Sequence, residues 1–248
     1  MRVLEWAHDL LELCYPGVCA ACDAACDGAS PVCDECRDKL GQLESAPACP
    51  ACAAPLAERG DMCAFCDDKG VPHYERVAGL GVFEDPLKSL VHQIKYHHRW
   101  SLAAYLADRL YARPAARALL DDCDAIVPVP LHPLRHIARG YNQAELIARR
   151  LAKRSGRKLL HALARVRRTP TQTHLHAKSK RIENLRGAFG LVDPKGVYGK
   201  RIVVVDDVTT TGATLQSAGR TIAQGKPVLM NALVVAIADP RHRDFQSV

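Results

Sequence analysis

With 248 residues, 48% of them apolar and 25% charged, the chain is long enough for one good-sized domain plus a small one, and its charge content is that of an ordinary globular protein. No apolar run approaches the ~18 residues of a membrane span, and Met1–Leu13 is broken by Glu5, His8, Asp9 and Glu12, so it does not read as a secretory leader; no membrane insertion and a cytoplasmic location are expected. The net charge of +7 is unevenly spread: residues 1–70 carry 5 Lys/Arg against 13 Asp/Glu and residues 71–248 carry 29 against 14, so an acidic unit precedes a basic one suited to polyphosphates or nucleic acid.

The apolar positions of Met1–Leu13 (Val3, Leu4, Trp6, Ala7, Leu10, Leu11) fit one face of a short helix. Four C-x2-C pairs follow: Cys19/Cys22, Cys33/Cys36, Cys49/Cys52 and Cys63/Cys66. The second two repeat the first two at an offset of 30 residues. Such a pair turns two thiolates toward one metal, and two pairs complete a tetrahedral four-cysteine zinc site. The segment is too short and polar to build its own core, so two structural zinc ions are expected to hold it. Disulfides are the competing reading, disfavoured in a reducing compartment. Pairing of neighbouring knuckles and a cross-braced arrangement (first with third, second with fourth) both remain open. Cys14, Cys26 and Cys123 fall outside the pattern and read as small buried apolar groups. Lys69–Pro72 is the expected boundary, giving a zinc-binding unit over 1–70 and a larger one over 71–248.

Val77–Phe83 reads as a strand and Pro86–Tyr111 mostly as helix, with Leu87, Leu90, Val91, Ile94, Leu102, Leu106 and Leu110 at helical spacing. Lys95-Tyr96-His97-His98-Arg99 reads as exposed basic surface, since neighbours in sequence do not share a helix face. Ala125–Val129 is a short buried strand stopped by Pro128 and Pro130. After it, Arg135, Arg139 and Gly140 are expected in a loop, and Asn142 with Glu145 reads as a capping-box variant opening a helix. A basic loop followed by a helix start would suit a pyrophosphate. Between Arg165 and Arg186 the sequence is basic with little apolar periodicity and reads as a flap or linker.

Ile202–Val205 is four branched apolar residues, a strand buried on both faces. Asp206 and Asp207 come next, then Thr209, Thr210, Thr211, Gly212, Ala213 and Thr214, then a helical run from Leu215 to Ala223. Ligands of open α/β sheets bind beyond the carboxyl ends of strands. The first turn of a helix has free N–H groups for a phosphate, and Gly212 allows close backbone approach. Two carboxylates beside a phosphate cradle would repel the phosphate, so they should accept hydrogen bonds from sugar hydroxyls. The site therefore suits a phosphorylated sugar. Pro227–Ala238 supplies another buried strand, and the alternation of strands and helices indicates an α/β fold with a mostly parallel sheet.

The stretch 202–214 resembles the PRPP-binding motif of type I phosphoribosyltransferases. That resemblance implies that Asp206 and Asp207 hold the ribose hydroxyls and that Thr209 to Thr214 hold the 5′-phosphate. V-P-V-P-L-H-P-x-R-x-x-x-R-G-Y-N-Q-A-E from Val127, the run carrying Arg167, Thr169, Gln172 and Leu175, the run carrying Arg181, Asn184, Gly187, Ala188 and Phe189, and Ile94-Lys95-Tyr96 are together similar to the ComF family of phosphoribosyltransferase-like competence proteins. The cysteine pairs match the double zinc ribbon of that family. The resemblance implies a phosphoribosyltransferase-like sheet flanked by helices and preceded by a small zinc-ribbon domain. It also implies a part in handling imported single-stranded DNA with DNA-uptake partner proteins, and PRPP or a related phosphorylated sugar as ligand, with Mg²⁺. Arg139, Lys178 and Arg181 are the basic residues expected to neutralise a departing pyrophosphate. No general base and no acceptor is identifiable, so a phosphoribosyltransferase (a glycosyltransferase) and a non-catalytic module that senses PRPP or binds single-stranded DNA are both carried. Tyr96, Trp100 and Tyr141 are the aromatic residues near basic runs that could stack on bases.

Overall fold

The computed structural model describes residues 17–28, 30–166 and 187–238. The N-terminal helix expected over Met1–Leu13, Cys14, the basic segment 167–186 and the C-terminal 239–248 lie outside the described residues. The chain runs β1 (Gly17–Val18), β2 (Ala25–Cys26), α1 (Asp34–Ser45), β3 (Val77–Val82), α2 (Leu87–Tyr96), α3 (Leu102–Ala112), α4 (Pro114–Asp121), β4 (Ala125–Pro128), α5 (Pro133–Arg139), α6 (Gln143–Ser155), β5 (Lys158–Leu159), β6 (Leu163–Arg165), β7 (Phe189–Leu191), α7 (Pro194–Val197), β8 (Arg201–Thr209), α8 (Ala213–Ala223) and β9 (Leu229–Ile237).

A five-stranded parallel sheet, ordered β3-β9-β8-β4-β5, forms the body, with β8 at its centre. The period-2 alternation of a strand splits the valine run of β8 between two layers. Val203 and Val205 join Leu90, Leu106, Leu110 and Leu151 of α2, α3 and α6 on one side. Ile202 and Val204 join Leu215, Ala218 and Ile222 of α8 on the other. Both layers also receive ribbon residues. Cys19, Ala20, Val32 and Leu40 belong to the first layer, and Cys49, Cys52, Ala53 and Cys63 to the second. The two cysteine units therefore pack into opposite cores of the same sheet.

The expected helix over Pro86–Tyr111 is two helices, α2 and α3, separated by His97–Ser101, where His98 takes φ 54°. The expected basic loop around Arg139 is the short helix α5, opened by His132, whose Nδ1 accepts from Leu134 N at 3.3 Å, and closed by Gly140 at φ 80°. The left-handed conformation suits glycine and stops the helix. Asn142 then starts α6: its Oδ1 accepts from Ala144 N, and its Nδ2 donates to Val129 O just beyond β4. Glu145 does not complete a capping box; its carboxylate binds Arg149 at 2.8 Å. Strand β8 continues through the acid pair to Thr209 rather than ending at Val205.

Candidate functional site

The cysteine repeat is also a geometric repeat. Cys19 N and Cys49 N each donate to the carbonyl five residues on, Ala24 O and Ala54 O, at 2.8 Å. Asp23 N and Ala53 N return to Cys19 O and Cys49 O, and Asp23 and Ala53 both take φ near 60° (60° and 61°). The knuckles pair consecutively: Cys19, Cys22, Cys33 and Cys36 form one cluster and Cys49, Cys52, Cys63 and Cys66 the other. Sulfur–sulfur separations are 3.7 Å for Cys22–Cys33, 3.8 Å for Cys49–Cys66 and 3.7 Å for Cys52–Cys63. A tetrahedral zinc ion with Zn–S bonds of ~2.3 Å spaces its sulfurs by about 3.8 Å. The thiols are free, not disulfide-bonded. Each cluster therefore fits a structural zinc ion. With four thiolates each, neither cluster leaves a ligand position open for catalysis. Of the cysteines outside the repeat, Cys123 is buried and Cys26 is partly buried against the first core layer.

The acid pair sits at the carboxyl end of the central strand. Asp206 is 8% exposed, and its Oδ1 accepts from Asp207 N at 2.9 Å. Burial, with the charge of Asp207 next, pushes its carboxyl up to about 8, opposed by that N–H and by the charges of Lys95 and Arg165. Asp207 accepts from Val208 N through Oδ1 and turns Oδ2 toward Lys95 Nζ at 3.4 Å. These two side chains are only 18% and 11% exposed. Lys95 is thus withdrawn from the basic surface expected of 95–99, whereas Tyr96, His97 and His98 are exposed. Sequence reasoning set Lys95 on an exposed basic surface and in the run Ile94-Lys95-Tyr96 but gave it no place beside the acid pair. The available signal was its i+4 and i+8 spacing from Val91 and Leu87, both buried on α2.

After Asp207 the chain turns from β8 into α8. Thr209 still belongs to β8, where its carbonyl accepts from Ala238 N at 2.8 Å. Thr210 and Thr211 make the turn, Gly212 caps α8 at φ 74°, and Ala213 and Thr214 are its first residues. Among the described residues no side chain caps α8, so N–H groups of its first turn have no side-chain acceptor there. Among the described residues, Thr211 Oγ1 and Gln216 Oε1 are buried without hydrogen-bond partners, as is Gln143 Nε2 at the start of α6. Orphaned polar atoms of this kind call for an occupant; Gln216 and Gln143 are further residues that the sequence reading did not select.

The ribbon reaches this turn. Val71 lies over Gly212, where an added Cβ would come 3.7 Å from Val71 Cγ1. Tyr74 is buried, donates its hydroxyl to Leu215 O at 2.8 Å, and is held neutral by its burial and by the charge of Asp206. Gly219 makes room for it: a Cβ there would approach Tyr74 Cε2 to 2.8 Å. Arg139, at the end of α5, lies over the Tyr96 ring at 5.4 Å, next in the chain to Lys95. Lys178 and Arg181 lie outside the described residues.

A family model for the double zinc ribbon domain matches residues 10–68. The DNA utilization protein YhgH of Salmonella typhimurium is 37% identical over 82% of this chain and 89% of its own length. Competence protein F of Haemophilus influenzae is 35% identical over 72% and 80%, respectively. Competence protein ComFC of Bacillus subtilis is 27% identical over 78% of each. With consecutive four-cysteine clusters in front of a parallel sheet whose central strand carries the acid pair near its carboxyl end, and with these relatives aligned along most of its length, the chain belongs to the ComF family of competence proteins.

Proposed function

We propose that the end of β8 binds a phosphorylated ribose such as PRPP, and that the protein uses it in the handling of imported DNA. One observation carries this reading: two adjacent carboxylates, one buried and one paired to Lys95, precede an uncapped helix start with an orphaned threonine hydroxyl. A carboxyl group, ionised or protonated, has oxygens that accept from sugar hydroxyls, and the turn 209–214 donates to a phosphate. Asp206 and Asp207 hold the ribose, and Thr209, Thr210, Thr211, Gly212, Ala213 and Thr214 hold its 5′-phosphate. Arg139, with Lys178 and Arg181, neutralises the pyrophosphate. Mg²⁺, bound with the pyrophosphate, would supply charge neutralisation of that leaving group. The names of the relatives, a DNA utilization protein and competence proteins, favour DNA as the setting in which the site is used.

The test is thermal unfolding of the zinc-loaded protein with and without Mg²⁺-PRPP. Ligand at ~100 times its dissociation constant stabilises by about 2.7 kcal/mol, a rise of roughly 5–10 °C for a domain of this size. Asp207→Asn should lose the rise. An unshifted wild type refutes the reading. A second reading, a non-catalytic module for single-stranded DNA, is favoured by the exposure of Trp100 (62%) and Tyr96 (57%), the latter under Arg139. Base stacking on these rings predicts that Trp100→Ala weakens oligonucleotide binding by ~1–3 kcal/mol, and phosphate contacts predict a steep loss of affinity with salt.

A further inference from the structure

Strand β3 ends the sheet, with β9 on one side and, among the described residues, no strand on the other. Its sequence, Val77-Ala78-Gly79-Leu80-Gly81-Val82, turns Ala78 and Leu80 into one core layer and Val77 into the other. Gly79 and Gly81 share the Val77 face but bring no side chain to it. A cavity of about 410 Å³ opens along this edge, between the end of α1, the entry to the second ribbon and α4. The space directly over the two glycines is taken by neighbours: a Cβ at Gly79 would lie 2.4 Å from Ile237 Cδ1, and one at Gly81 would lie 2.8 Å from Leu43 O, so Ile237 and Leu43 wall the cavity on this side.

The lining is cationic. Arg59, Arg76 and Arg113 border the cavity, and among the described residues none of them has a carboxylate partner. Glu44 is the sole acid in the lining, and Arg109 holds it at 2.5 Å. Several guanidiniums elsewhere are ion-paired, Arg37 with Asp34, Arg149 with Glu145 and Arg150 with Asp108 among them. Arg113 Nε is in addition buried with no hydrogen-bond partner among the described residues, an arrangement that is costly unless an acceptor arrives. The remainder of the lining is mostly alanine, proline, leucine and glycine.

We propose that this cavity is a binding site for a small amphiphilic anion, its apolar body against the alanine, proline and leucine lining and its carboxylate or phosphate head on the arginines. The volume is in the range of ligand pockets. The site is distinct from the acid pair, since β3 lies two strands from β8, about 10 Å.

The test uses the zinc-loaded full chain and 1-anilinonaphthalene-8-sulfonate, an apolar body with one anionic head. Fluorescence titration should give one saturable site per chain. Arg113→Met and, separately, Arg76→Met should weaken it about tenfold, the loss of one charged hydrogen bond. Ala118→Trp, which fills the mouth from an exposed position of α4, should abolish it. Octanoate and octyl phosphate should displace the dye, the stronger of the two identifying the head group, while inorganic phosphate should not. The proposal fails if no saturable site exists. It also fails if all three folded variants bind the dye like wild type, or if inorganic phosphate competes as well as octyl phosphate.

Discussion

Lys95 Nζ lies 3.4 Å from Asp207 Oδ2, with both side chains largely withdrawn from water, and this contact ties the last turn of α2 to the end of the central strand. The ammonium also offsets the charge of Asp206, one residue away. Two adjacent acidic groups at a strand end repel one another when charged, and the part-buried ammonium beside them offsets that repulsion. Lys95→Met should therefore lower stability by roughly 1–3 kcal/mol in urea unfolding, the range for leaving a part-buried charge uncompensated. In Asp207→Asn the same substitution should cost far less. Strict additivity of the two changes would show that the pair does not interact.

The second prediction concerns pH. Asp206 titrates at about 8 in the folded chain because burial and Asp207 disfavour its charge, against 3.8 for the unconstrained side chain. Between these values the folded state holds a proton that the unfolded state has lost, so the contribution of this group falls as pH rises from about 4 to 8. The slope approaches ~1.4 kcal/mol per pH unit where the difference is one full proton. Asp206→Asn should flatten this part of the stability profile and leave the variant more stable than wild type above pH 8. Melting temperatures across that range measure both effects. A wild-type profile that rises toward pH 8, with Asp206→Asn parallel to it, would contradict the assignment.

Much of this site is legible in the residue order and some of it is not, for physical reasons. Ile202–Thr214 announces strand, acids, turn and helix because each step uses a different local rule: branched apolar residues for a buried strand, glycine for a positive φ, small residues for a close turn. The cysteine repeat is legible because ligand spacing is itself the chemistry. The consecutive pairing is not, since the sequence permits either arrangement and only the packing of each cluster into its own core layer selects one. Lys95 is hidden because Tyr96, His97 and His98 beside it are exposed. Tyr74 is hidden because its partner is a backbone carbonyl 141 residues away, a contact without a side-chain signature.

The third prediction is metal stoichiometry. Wild type should carry two zinc ions per chain and Cys52→Ala one, because the clusters share no ligand. Cys22→Ser should likewise remove one ion while sparing the other. Elemental analysis of purified protein decides this, and loss of both ions from either variant would mean that the clusters are not independent.

The last prediction joins the second ribbon to the turn 209–214. Cys49, Cys52 and Cys63 share a core layer with Val71, Tyr74, Leu215 and Ala218. The knuckle also binds the sheet directly, with Val77 N donating to Ala51 O at 3.1 Å. The segment leaving the knuckle covers the turn through Val71 and anchors α8 through the Tyr74 hydroxyl. A four-cysteine unit has too little apolar content to hold itself without its ion, so removing zinc should release this cover. Chelation should then raise amide hydrogen exchange at 209–216, beyond the ribbon itself, and Tyr74→Phe should reproduce part of that rise with both zinc ions in place. The buried hydrogen bond that it removes is worth ~1 kcal/mol, a five-fold change in local opening. Exchange at 209–216 that is unaltered by chelation, with the ribbon unfolded, would show that the turn stands on the sheet alone.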